Sequence, residues 1–204
     1  DYSTVAVETS AELKSILEGS NNITYIYLAK DITLAQGITI LGSKTQVTID
    51  GLYPIDGTGT IHTYTDMNSA SNADAIDVRT ASSIHVTVQN LNSGLSIYQN
   101  LTINIIDSTA SVANEVAEAG SIQIGGKTTI IHNSVGDSAF WFRGYSGNPY
   151  LEILENSDVT ISTTRDIVYS GNYVKLTINK NSTFSVKTKY GFFRDNGHQA
   201  SNIL

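Results

Sequence analysis

Short runs in which Thr, Ser or Asn alternate with β-branched or aromatic residues recur along this 204-residue chain every 23 to 26 residues. They align in three columns. The first column holds 86–90 (VTVQN), 128–133 (TTIIHN), 151–156 (LEILEN) and 175–179 (KLTIN). The second holds 159–162 (VTIS) and 184–187 (FSVK), and the third holds 140–143 (FWFR), 166–170 (DIVYS) and 191–194 (GFFR). Phe142 and Val168 lie 26 residues apart, and Val168 and Phe193 lie 25 apart, as do Ile161 and Val186. A period of two marks a strand with one buried face. Three such strands per repeat predict an all-β fold, a right-handed parallel β-helix. Each coil of such a solenoid buries its apolar face only by stacking on its neighbours.

Composition agrees. Charged residues make up 15% and apolar residues 40%, so the surface is expected to be Ser, Thr and Asn rather than Lys and Glu. Two prolines suit long stretches of continuous sheet, and 16 glycines suit many tight corners. The length suits one elongated domain over 1–204 with a full core. No run of about 18 apolar residues is present, so no direct membrane insertion is expected. No signal peptide is present either, and the chain reads as a mature form or an excised part of a larger surface protein. The absence of cysteine removes disulfides, thiol catalysis and thiolate metal sites. A net charge of −7, with 12 Lys and Arg scattered along the chain, argues against a nucleic-acid partner.

One helix is predicted, over 9–19. Thr9 and Glu12 have capping-box spacing, Leu13, Ile16 and Leu17 give one apolar face, and Gly19 is the stop signal. Such a helix would cap the first coil. The polar stretch 52–75 and the stretch 107–120 read as excursions from the solenoid wall, the second with a helical turn in its Ala/Glu-rich part. No polar cap follows the last coil, so self-association through an open C-terminal coil is a further expectation.

The helix, followed by IYLAKDITL (26–34), ITILGSKTQVTIDG (38–51), a long Thr/Asp/Asn loop and VTVQNLN (86–92), resembles the pectate-lyase-like adhesive domains of Gram-positive cell-surface proteins. The likeness is carried by residues 10–110 and is generic beyond them. It implies a pectate-lyase-like fold and an extracellular, cell-wall-associated adhesin whose partner is a glycan or another host surface molecule. It implies no catalytic residues.

Two groups of residues invite a chemical reading. Asp50, Asp56, Asp66, Asp74 and Asp77, with Arg79 nearby, carry the carboxylates and base that a Ca²⁺-dependent polysaccharide lyase needs, and a hydrolase needs a carboxylate pair. The same aspartates are the expected turn residues at such places, and that reading is the favoured one. Their crowding into one loop favours at most a loop-bound Ca²⁺ at Asp50, Asp56, Asp74 and Asp77, and no other cofactor is expected. The second group is aromatic. If Phe142, Val168 and Phe193 point inward, then Trp141, Arg143, Ile167, Tyr169, Phe192 and Arg194 form one outer wall, with Tyr145, Tyr150, Tyr173 and Tyr190 in its turns. Aromatic rings beside Arg suit sugar faces and carboxylates. A one-residue slip would instead bury Trp141, and the sequence leaves both registers open. The four histidines show no metal spacing and read as solvated strand or turn residues. The readings that stand are a glycan-binding adhesin, a polysaccharide lyase or hydrolase, and a structural or self-associating stalk.

Overall fold

The computed structural model describes residues 3–34, 37–40, 44–53, 59–62, 64–66, 76–77, 85–92, 97–98, 102–112, 115–142, 149–170 and 173–195. For 64–66, 76–77, 97–98, 102–103, 112 and 195 it describes the backbone alone. Among the described residues the chain is mostly β-structure with one helix, and its three large sheets are parallel.

The first sheet has eight strands: β1 (Thr4–Val7), β2 (Tyr25–Leu28), β5 (Gln46–Asp50), β10 (His85–Gln89), β12 (Thr102–Ile106), β15 (Ser121–Gly125), β18 (Tyr150–Ile153) and β21 (Lys175–Ile178), in that order. The second has four: β13 (Thr109–Val112), β16 (Lys127–His132), β19 (Asp158–Thr163) and β22 (Thr183–Thr188). The third has seven: β4 (Ile38–Thr39), β9 (Ile76–Asp77), β11 (Ile97–Tyr98), β14 (Ala117–Ala119), β17 (Phe140–Phe142), β20 (Val168–Ser170) and β23 (Phe193–Asp195). From β12 onward the chain visits first, second and third sheet in rotation, and each strand pairs in parallel with the strand one round later. Two small pairs complete the β-structure. β3 (Ile32–Leu34) pairs with β8 (Tyr64–Asp66), and β6 (Leu52–Tyr53) runs antiparallel to β7 (Thr60–Ile61).

Burial follows the period of two. Val86, Val88, Ile122, Ile124, Leu151 and Ile153 from the first sheet meet Ile130, Val159 and Ile161 from the second and Phe140, Phe142 and Val168 from the third, all essentially inaccessible to water. Each such side chain contributes roughly 1.5–3 kcal/mol through burial. Among the described residues these side chains form one apolar cluster to which all three large sheets contribute.

The corner from first to second sheet turns on single left-handed residues: Asn90 (φ 54°), Asp107 (φ 45°), Gly126 (φ 60°), Asn156 (φ 56°) and Asn181 (φ 57°). Asn and Asp tolerate this conformation because their short polar side chains bond locally. At Gly126 a Cβ would also run into the Asp107 carboxylate. Hydroxyls line the same corners and accept backbone N–H groups from the preceding round, Leu91 N to Ser108 Oγ at 3.2 Å and Ser157 N to Ser182 Oγ at 3.1 Å.

The helix α1 (Ser10–Glu18) begins at Thr9, whose hydroxyl accepts from Glu12 N at 3.2 Å, while the Glu12 carboxylate accepts from Thr9 N at 3.1 Å. Leu13 and Leu17 are buried, and the helix lies against β1, β3 and β4. Gly19 is extended (φ −83°, ψ 153°) rather than left-handed. Glycine is needed there because a Cβ would crowd Ser15 O at 2.6 Å.

Three expectations are corrected. The run 128–133 belongs to the second sheet, and its place in the first is taken by 121–125. Gly126 alone separates β15 from β16, so the chain changes sheets at a single residue. The stretch 107–120 is not a plain loop excursion, because its described residues hold β13 and β14, each paired into its sheet. His132 is fully buried, its Nδ1 2.8 Å from Thr163 Oγ1, rather than solvated.

Candidate functional site

The third sheet decides the register of Trp141. Phe140 and Phe142 are buried, and Trp141 between them lies half-buried on the opposite face. The same holds in β20, where Val168 and Ser170 are buried and Tyr169 is half-buried. Pairing sets Glu118, Trp141, Tyr169 and Arg194 at one position of β14, β17, β20 and β23. The Trp141 and Tyr169 rings stand 5.4 Å apart at 60°, and the Arg194 guanidinium lies 5.3 Å from the Tyr169 ring. A ladder of two rings and a cation thus runs along this face, with the buried Glu118 at its other end. Arg194 Nη1 also donates to Gly136 O at 2.9 Å, tying the ladder to the loop between β16 and β17.

The alignment of Phe142 with Val168 is off by two residues, since Phe140 is the partner of Val168. A two-residue shift preserves the face, so Trp141 and Tyr169 keep their direction. Ile167 is a correction: it is fully buried, and Phe192 packs on the core. Both precede their strands, at the corner, where Ile167 N bonds Gly191 O and Val168 N bonds Phe192 O. The strand alternation therefore does not extend to them.

The structure brings together Trp141, Tyr169 and Arg194. It sets Tyr150 and Tyr173 elsewhere, at or just before the first-sheet strands β18 and β21. Tyr173 and Tyr190 do not share equivalent turns, because Tyr190 lies between the second and third sheets. Arg143 and Tyr145 lie outside the described residues.

At that second-to-third corner the loops after β16, β19 and β22 enclose a groove of about 470 Å³ lined by Asn133, Val135, Thr164, Arg165, Lys189 and Tyr190. The Arg165 guanidinium lies 4.8 Å and the Lys189 ammonium 5.3 Å from the Tyr190 ring centre. Side-chain bonds shape the loops. Ser134 Oγ accepts from Asp137 N at 2.9 Å, Thr164 Oγ1 donates to Ser134 O at 2.7 Å, and Thr188 Oγ1 donates to Arg165 O at 2.6 Å. Sequence reasoning passed over Arg165 and Lys189. The available signal was the 25-residue spacing of Arg165 and Tyr190, the same period as the strands beside them.

Asp50, named as a cation ligand, ends β5 on the first sheet and is 4% exposed. Its Oδ2 accepts from Tyr25 Oη (2.6 Å) and Gln89 Nε2 (2.7 Å), and its Oδ1 from Asn90 Nδ2 (2.8 Å) and Leu52 N (2.9 Å). Protein donors thus occupy both oxygens. Burial, and then the Asp50 carboxylate, raise the Tyr25 hydroxyl above the ordinary tyrosine range. Asp56, Asp74 and Arg79 lie outside the described residues, and Asp66 and Asp77 are described by backbone alone, in β8 and β9. Among the described residues no three His, Asp or Glu converge to hold a metal.

Comparison with protein-family models, with curated proteins and with solved structures gave no match.

Proposed function

We propose that this chain is a rigid binding and display module, an adhesin domain that presents one wall of a right-handed parallel β-helix to a glycan. Strands from three parallel sheets follow one another in rotation, which is the order a three-strand coil generates. Right-handed crossovers between parallel strands are the rule. The observation that carries the functional reading is the outward ladder of Trp141, Tyr169 and Arg194. Indole and phenol faces stack on the apolar faces of sugar rings, and a guanidinium bonds hydroxyls and carboxylates. Membership of the pectate-lyase-like adhesive domains, and a place on a Gram-positive cell surface, belong to the same proposal and rest on the sequence segments.

The test is a glycan array run with and without Ca²⁺, followed by an assay for cleavage products. The expected result is binding without cleavage, lost in Trp141→Ala while the far-ultraviolet spectrum is unchanged. Cleavage products would replace the adhesin with a lyase or hydrolase. Full binding by Trp141→Ala would remove the ladder from the site.

A second reading has one observation in its favour. Among the described residues, β21 and β22 stand last in the first and second sheets and expose Ile178 (49%) and Val186 (37%). Such edges favour self-association, which light scattering would report as mass rising with concentration. A constant monomer mass would end that reading.

A further inference from the structure

We propose that the groove between the loops after β16, β19 and β22 is a subsite for a sugar bearing an exocyclic oxyanion, a carboxylate or a sulfate ester. Arg165 and Lys189 are its cationic partners and Tyr190 its stacking platform. The proposal rests on the glycan-binding reading and adds a ligand charge, which the Trp141 ladder leaves open.

Charge is the first argument. Lys14, Lys30 and Lys180 each sit on a glutamate. Arg165 and Lys189 have no carboxylate within ion-pair distance among the described residues, although both line one groove. Arg165 Nε is enclosed and has no hydrogen-bond partner among those residues, so the guanidinium is held by packing on Tyr190 rather than by a protein acceptor. A cation fixed in place without its counter-charge is prepared for an anion, and a guanidinium suits the two oxygens of a carboxylate or sulfate. The setting reinforces this. Residues 127–204 carry eight Lys and Arg against six Asp and Glu, whereas residues 1–126 carry four against thirteen. The excess of acidic residues therefore lies in the other part of the chain, and residues 127–204 keep a small positive formal balance.

Shape is the second argument. A volume of about 470 Å³ lies toward the small end of ligand pockets and has room for a short saccharide. Tyr190 is 60% exposed and Val135 98% exposed, so each lip offers an apolar surface that water now covers. The exposed Asn133 has no hydrogen-bond partner among the described residues, which leaves its amide for sugar hydroxyls. The bond from Arg194 to Gly136 O joins this corner to the Trp141 ladder, so one branched glycan can touch both.

The test uses the whole 204-residue chain in a titration followed by NMR, read at the Arg Nε–H signals. The probes are methyl glucuronide, methyl galactoside 6-sulfate, neutral methyl galactoside and inorganic sulfate, alongside an array of matched neutral, uronate-terminated and sulfate-terminated oligosaccharides. Both charged sugars, or one of them, are expected to shift Arg165 and to bind more tightly than the neutral sugar, with the preference shrinking as NaCl is raised. Comparison of the uronate and sulfate arms identifies the oxyanion. Arg165→Gln and Lys189→Gln are each expected to weaken the charged sugar by about tenfold or more, and by more than they weaken the neutral sugar, the loss of one charge-assisted hydrogen bond. Binding of neutral and charged sugars alike, unaffected by Arg165→Gln, would overturn the subsite and leave the adhesin standing. A shift by inorganic sulfate that no sugar improves on would also overturn it. If no saccharide binds at all, the adhesin reading falls, and the subsite with it.

Discussion

The register of the third sheet is open to a direct energetic test by a pair of truncations, Phe140→Ala and Trp141→Ala. Phe140 is inaccessible to water, and its ladder neighbours are Ala117 on one side and Val168 on the other. Loss of a buried Phe side chain costs about 3–5 kcal/mol, depending on how far the surroundings collapse. Here collapse is limited, because Ala117 has no side chain long enough to reach into the space. The expected cost therefore lies near the upper end, about 4–5 kcal/mol. Trp141, though larger, faces outward and half-buried, with the Tyr169 ring at 5.4 Å. Its truncation forfeits the ring pair and part of its buried area, about 1–2 kcal/mol. Urea unfolding followed by circular dichroism separates the two. With an m value of about 2–3 kcal/mol per M, Phe140→Ala lowers the midpoint by about 1.3–2.5 M and Trp141→Ala by about 0.3–1 M. The larger loss in Trp141→Ala would mean that Trp141 is the core residue. The outward ladder, and the binding reading built on it, would then fail.

Other perturbations address the corners, the cap and the first sheet. Asn156→Gly is expected to be nearly neutral and Asn156→Ala to cost about 1 kcal/mol, because φ is 56° there; Gly126→Ala should cost more, and equal midpoints for all three would contradict the corner account. The backbone N–H of Glu8, and then that of Thr9, hold the Glu12 carboxyl below its ordinary value of 4.5. Its contribution is present above that value and lost as pH falls through the lower folded value. The protection factors of the α1 amides, which divide out the intrinsic pH dependence of exchange, should fall as pH drops below 4.5 in the native protein but change little in Glu12→Ala, which has lost the cap at every pH. The Tyr25 hydroxyl is raised above its ordinary value of 10.0, so its stabilisation is complete below that pH and is lost as pH rises further. Tyr25→Phe should cost about 1–2 kcal/mol at pH 7 and flatten the alkaline loss of stability; an unchanged alkaline slope would detach Tyr25 from the Asp50 network.

Much of the β-structure is legible in the sequence because it is written in a local code. Alternation in VTVQN or VTIST states that one face is buried, whatever lies opposite. The cap at Thr9 and Glu12 is legible for the same reason, since its partners are three residues apart. The sheet to which a strand belongs is not local. The alternation in 128–133 does not say which sheet the run joins; the left-handed Gly126, fitted against the Asp107 carboxylate, turns the chain from the first sheet into the second just before it.

The candidate site divides along the same line. The sequence by itself determined that Trp141 and Tyr169 share a face, because a period-two code survives a two-residue error in alignment. It did not determine which face. Burial of Phe140 and Phe142 against the other two sheets decided that, through contacts with residues one repeat away. The groove was decided by tertiary structure alone. Asn133, Arg165 and Tyr190 are about one repeat apart along the chain, and only the stacking of three corner loops makes them neighbours. A sequence records which residues a turn contains, whereas the sheets fix what that turn stands beside.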